Sequence, residues 1–259
     1  MKNSKEPIIS LEGVDKSFHL QDGRELPVLH DISLEISPAS FSIIYGPSGS
    51  GKSTLLNVIA GLEEPTHGHV TVSGVEPYRL APDPLAAFRS TNIGIIYQQN
   101  YWIQSLTIAE NVAFPLYLAG YNKGESLAAA RELLAKVGID HLSENDPGGL
   151  SGGEQQRASV ARALVTSPKI VLADEPTGSL DTKNGDIIMN LLSEVVRTYG
   201  ITVVLVTHNL EYLPLSSQQI YMKDGRAVER TGRPTGVTNA LVDLQRIMQN
   251  DTPKAGIKQ

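Results

Sequence analysis

Eight residues, Gly46-Pro47-Ser48-Gly49-Ser50-Gly51-Lys52-Ser53, follow the pattern G-x-x-x-x-G-K-[ST]. Glycines at this spacing let backbone N–H groups turn inward around an anion. The Lys52 ammonium offers a point charge to the β- and γ-phosphates of a nucleoside triphosphate, and the Ser53 hydroxyl is a Mg2+ ligand. An apolar run, 41–45, precedes the loop and a helical pattern follows it, so a helix N-terminus points at the same phosphates. The chemistry implied is nucleotide binding. The loop alone does not separate ATPase, GTPase and kinase.

A second cluster lies at the end of another apolar run. Ile170-Val171-Leu172-Ala173 leads into Asp174-Glu175. Asp174, at a strand terminus, suits the shell of Mg2+. Glu175 is then placed to orient or deprotonate an attacking water. The next apolar run ends at Val206-Thr207-His208. A strand-end histidine is commonly a structural hydrogen-bonder, but in a parallel sheet His208 reaches a γ-phosphate or the water. A GTP-specific protein needs the guanine reader N-K-x-D. Asn122-Lys123-Gly124-Glu125 lacks the aspartate and follows no strand, so that reading is rejected.

These groups need elements to hold them. Residues 8–11, 32–36, 41–45, 70–72 and 93–96 read as strands, with a polar turn at Gln21-Asp22-Gly23-Arg24. Leu55, Leu56, Ile59 and Ala60 share a helical face that Gly61 is placed to stop. Between 108 and 163 the period becomes helical, as in 126–137. Runs 170–173 and 201–206 flank a helical stretch, 186–197, which is a β-α-β crossover and requires a parallel core. Asp224-Gly225 between 220–223 and 226–229 predicts a hairpin with a type I′ turn.

Composition limits the function further. The 259 residues carry 22 basic and 28 acidic side chains, a net charge of −6, and 41% are apolar. That balance is globular. It is unfavourable for binding nucleic acid through phosphate neutralisation, and there is no long basic run, so no nucleic-acid partner is expected. With no cysteine, disulfides, thiol catalysis and cysteine-ligated metals are excluded, which is compatible with a reducing compartment. Residues 1–7 lack the apolar core of a signal peptide. The longest mostly apolar stretch, 112–121, is interrupted by Pro115 and is about half the ~20 residues a spanning helix needs. The expectation is a chain soluble by itself, reaching a membrane only through a partner.

Leu150-Ser151-Gly152-Gly153-Glu154-Gln155-Gln156-Arg157 resembles the signature sequence of ABC-type ATPases. The phosphate loop, Asp174-Glu175-Pro176-Thr177-Gly178, Ser179-Leu180-Asp181 and His208 stand in that family's order, so the resemblance covers about residues 8–230. It implies an α/β P-loop NTPase: a RecA-like parallel-sheet core, an antiparallel β subdomain, and a helical subdomain inserted at about 99–162 of an ATPase domain spanning 1–230. It implies ATP and Mg2+ as ligands. Carried over by position, Phe18 is the adenine-stacking aromatic, which is more often tyrosine in the family. Gly46, Pro47, Ser48, Gly49, Ser50, Gly51, Lys52, Ser53 and Thr54 hold the ATP. Ser53, Asp174 and Gln98 serve the metal, and Glu175, His208 and Gln98 the hydrolysis. Ser151, Gly152, Gly153 and Glu154 contact the ATP of a second copy, and Asp181 couples the two sites across that homodimer.

Leu106-Thr107-Ile108-Ala109-Glu110-Asn111-Val112, Pro115-Leu116 and the polar insertion between Phe18 and Val28 resemble the MacB/LolD-type subgroup. The resemblance implies an ATPase at the cytoplasmic face of a bacterial inner membrane, attached through a separate permease for export or extraction. An engine for mechanotransmission or regulation without cargo is the alternative. A DNA-repair or translation ABC protein is disfavoured, since no second cassette, coiled coil or zinc module is visible. Residues 231–259 stand apart with net charge +2, and Val237, Leu241, Leu244 and Met248 fall on one helical face. They read as a C-terminal extension with a short amphipathic helix.

Overall fold

The structure is a computed structural model and describes residues 6–231. Strands β1 (Ile9–His19), β2 (Glu25–Ile36) and β4 (His67–Val72) form an antiparallel sheet with β1 in the middle. A second sheet contains β3 (Phe41–Tyr45), β5 (Ile93–Ile96), β6 (Ile170–Asp174), β7 (Thr202–Thr207), β8 (Gln218–Lys223) and β9 (Arg226–Thr231). Its order is β5-β6-β7-β3-β8-β9, parallel except for β9. The helices are α1 (Lys52–Ile59), α2 (Pro82–Asn92), α3 (Ile108–Leu118), α4 (Lys123–Lys136), α5 (Gly152–Leu164) and α6 (Thr182–Tyr199).

Strands β3, β6 and β7 are buried on both faces, which is why their sequences are largely apolar instead of alternating. Ile43, Val203, Leu205, Val171 and Ala173 belong to one core with α3, α4, α5 and α6. Their neighbours Ile44, Val204, Val206, Leu172 and Ile220 belong to a second core with α1 and the antiparallel sheet. In α6, Ile188, Leu192 and Val195 form the buried stripe, and Gly200 ends the helix in the left-handed region at φ 65°. The β8–β9 turn has φ 48° at Asp224 and 73° at Gly225, the type I′ geometry expected. There the Gly225 carbonyl accepts from His30 N at 2.8 Å, tying the two sheets together.

Some elements differ from expectation. β1 and β2 extend well beyond 8–11 and 32–36: their outer halves pair with each other around the 21–24 turn, and there only scattered residues such as Val14 and Leu29 reach the core, so no regular alternation marks them. α2 was not expected: it starts with Pro82 at a favoured position and buries no residue fully, so it leaves no clear apolar period to read. α3 runs through Pro115, held by buried Ile108, Val112 and Leu116 on the same helix. The amphipathic helix expected within 231–259 lies outside the described residues.

Candidate nucleotide site

Parallel strands deliver their loops to one edge. The segments after β3, β5, β6 and β7 carry the phosphate loop, Gln98, Glu175 and His208, at the carboxyl ends where open α/β sheets bind ligands. These segments line one cavity of 390 Å³, formed by Val28, Ser48, Gly49, Gly51, Lys52, Ser53, Thr54, Gln98, Glu175 and His208. A cleft of 900 Å³ between the two sheets is larger but holds none of these groups.

Gly46 could be no other residue. Its φ is 152°, and a Cβ there would sit 2.0 Å from the Met222 carbonyl oxygen. Lys52 is largely buried, and its Nζ donates to Gly46 O at 3.1 Å and Pro47 O at 2.9 Å. Both acceptors are neutral carbonyls, so the ammonium's charge is left to complement an anion. Ser50 Oγ is buried without a hydrogen-bond partner. Such a polar atom calls for a ligand or water.

Ser53 Oγ donates to Asp174 Oδ1 at 3.1 Å, so the two expected metal groups meet across α1 and β6. Burial holds the Asp174 carboxyl above its usual range and the Glu175 charge adds to this, against the Ser53 hydrogen bond and Lys52. A partly desolvated carboxylate of this kind gains from a bound cation. One carboxylate and one hydroxyl fit Mg2+, which completes its shell with phosphates and water.

Glu175 occupies the left-handed region at φ 47°, a conformation that costs a non-glycine residue about 1–3 kcal/mol. Its N–H is fixed to Val206 O at 2.9 Å. The strained turn sends its carboxylate into the cavity, where buried Oε2 lies 2.8 Å from His208 Nδ1 without an aligned hydrogen bond. The His208 side chain itself is 70% exposed. Gln98 is exposed at the rim, and a Cβ on Gly178 would come within 3.3 Å of its Nε2.

Other expected residues lie elsewhere. Phe18 is on β1, opposite Leu26 and under Lys16 Nζ at 4.7 Å from the ring centroid, and does not line the cavity. Ser151 caps α5 in a capping box: Ser151 N donates to Glu154 Oε2 at 2.8 Å, and Glu154 N to Ser151 Oγ at 3.4 Å. The Ser151 hydroxyl and N–H hold the Glu154 carboxyl below its usual range. Asp181 caps α6 by accepting from Asn184 N at 2.8 Å. The two caps meet, because a Cβ on Gly153 would be 2.6 Å from Asn184 Oδ1. Asn122, rejected as a guanine reader, caps α4 by accepting from Glu125 N at 2.9 Å. Val28 was missed; an apolar residue on a strand carries no sequence signal of a site.

A family model described as "ABC transporter" matches residues 29–178. The lipoprotein-releasing system ATP-binding protein LolD of Shewanella denitrificans is 40% identical over 226 residues, covering 87% of this chain and 96% of its own. The LolD protein of Geobacter metallireducens is 44% identical over 201 residues, covering 78% and 89%. Among solved structures, the dimeric post-hydrolysis state of the ATP-binding cassette MJ0796 bound to ADP and Pi is similar with a TM-score of 0.81. It is 37% identical, over 87% of this chain and 99% of that one.

Proposed function

The chain belongs to the ABC transporter family as an ATP-binding, ATP-hydrolysing subunit, and from that premise we propose that two copies close face to face on two Mg-ATP to drive a separate permease of the lipoprotein-release type. One observation carries the reading: Lys52, Ser53 and the Glu175–His208 pair line a single cavity, with Asp174 bonded to Ser53 at its edge. Lys52 exchanges its own loop's carbonyls for the β- and γ-phosphates. Ser53 and Asp174, with Gln98 at the rim, would hold Mg2+, which when bound offsets charge on the phosphates. Glu175 orients the attacking water and takes its proton, and His208 steadies the carboxylate. Phe18, on β1 outside this cavity, would offer the adenine the ring face opposite Lys16.

The exposed start of α5 supplies the missing wall. Ser151, Gly152 and Gly153 of the second copy present helix N-terminal donors to the γ-phosphate, with Asp181 beside them. Among the described residues no helix is long and apolar enough to cross a membrane. Force then passes to a membrane subunit at the cytoplasmic face of the inner membrane. Support for the permease type comes from the identity to two LolD proteins along most of the chain. Phosphate release and light scattering on the purified protein test the central step. ATP doubles the particle mass, and turnover rises steeply with protein concentration. Full-rate hydrolysis by a persistent monomer overturns the proposal.

A further inference from the structure

The chain's single tryptophan, Trp102, lies four residues after Gln98. The Arg162 guanidinium sits over its ring, 4.4 Å from the centroid. Its Nε1 donates to Gln155 Oε1 at 3.1 Å. Gln155 Nε2 in turn donates to Leu150 O at 3.1 Å and Pro147 O at 3.3 Å, the carbonyls of the segment that delivers Ser151. Arg162 also grips the backbone beside Trp102, donating to Asn100 O at 2.5 Å and Tyr101 O at 3.4 Å.

Gln155 and Arg162 are seven residues apart on α5, two turns, and so share a face. Both are turned onto residues 100–102. Burial lowers the guanidinium to about 10, so it is still charged at neutral pH. Holding a partly buried cation with carbonyls and a ring carries a desolvation cost that an apolar side chain would not. What the planar, five-donor group supplies is fixed geometry between two segments.

We propose that Arg162, Trp102 and Gln155 form a positioning clasp that ties the segment after Gln98 to helix α5, so that displacement of Gln98 at the nucleotide cavity is delivered to Ser151. The clasp rests on the function proposed above. None of the three residues touches the reacting atoms.

Trp102→Phe tests it with little risk to folding, because phenylalanine keeps a ring under Arg162 and loses only the N–H to Gln155. Arg162→Lys is the companion, keeping charge and losing the planar grip. Each lowers kcat about fivefold, the worth of one hydrogen bond, with KM for ATP within about twofold and a melt lowered by no more than about 4 °C. In a Gln98→Ala background the same substitutions change kcat by less than about twofold, since the signal they carry is already absent. A merely structural role gives additive losses instead. Trp102 emission is the second readout: Mg-ATP shifts it in the wild-type chain and not in Gln98→Ala. Additive losses, or emission indifferent to Mg-ATP in a protein that splits ATP, overturn the clasp. A wild-type protein that splits no ATP would instead refute the function proposed above, so the two failures are distinguishable.

Discussion

Glu175→Gln separates chemistry from everything that precedes it. The substitution keeps side-chain length and shape, so the backbone anchor from Glu175 N to Val206 O and the φ of 47° are retained. What is lost is one proton acceptor, at a buried oxygen 2.8 Å from His208 Nδ1. A positioned general base contributes about 10²–10⁴ in rate, or about 2.7–5.4 kcal/mol of barrier. Turnover falls by that factor. ATP affinity does not fall, because the lost charge sits beside an incoming polyanion and its removal relieves repulsion. Binding without hydrolysis then traps the closed pair. Phosphate release gives the rate, a fluorescent ATP analogue the affinity, and gel filtration with Mg-ATP the doubled mass. Turnover within about threefold of wild type would refute the placement of Glu175 at the water, and loss of ATP binding would refute its separation from the phosphate-binding groups.

Lys52→Ala removes a charge-assisted contact worth about 1.5–3 kcal/mol, so ATP affinity drops about 10- to 150-fold in titration calorimetry; equal affinities contradict the role of the ammonium. Asp174→Asn abolishes turnover yet raises the melting temperature of the nucleotide-free protein at pH 7. The folded Asp174 carboxyl holds its proton more tightly than the unfolded chain does, so stability falls as pH rises through the ordinary carboxyl value of about 4, and the gain disappears in melts below that pH. Ser151→Ala costs about 1 kcal/mol of cap and lowers turnover. Mixing it with Lys52→Ala restores activity, because one of the two composite sites then draws an intact half from each chain; strictly additive, uncomplemented activities speak against shared sites.

Residue pattern revealed those parts of the molecule whose physics is local. The phosphate loop is legible because only glycine tolerates the Met222 carbonyl 2.0 Å from a Cβ at position 46. Strands β3, β6 and β7 are legible because burial on both faces leaves an apolar run. The Asp224-Gly225 turn is legible because both residues need positive φ. Illegible parts depend on partners distant in sequence. Nothing near Val28 says that β2 passes beside the phosphate loop. Nothing near Trp102 says that Arg162, sixty residues on, covers its ring. Helix α2 buries no residue fully, resting only the partly buried Phe88 on a core, and so wrote no clear period.

The placement of the signature segment has a mechanical consequence. In one chain the cavity is walled by the phosphate loop, Gln98, Glu175 and His208, whereas Ser151 and Gly152 are exposed outside it. The start of the signature helix is braced: its second glycine is packed against Asn184, whose Nδ2 donates to Asp181 Oδ1 at 3.1 Å and Oδ2 at 3.0 Å. Ser151, Gly153 and Asp181 therefore form one braced surface, and the cavity forms another. A braced donor surface outside its own cavity suits the proposed pairing, in which it meets phosphates held by a second molecule. Asp181, whose carboxyl the Asn184 N–H holds below its usual range, stays ionised and, through Asn184, joins the α6 cap to the signature helix. Any rearrangement of one surface on nucleotide binding is then felt at the start of both helices, which is the arrangement an engine with two coupled sites requires.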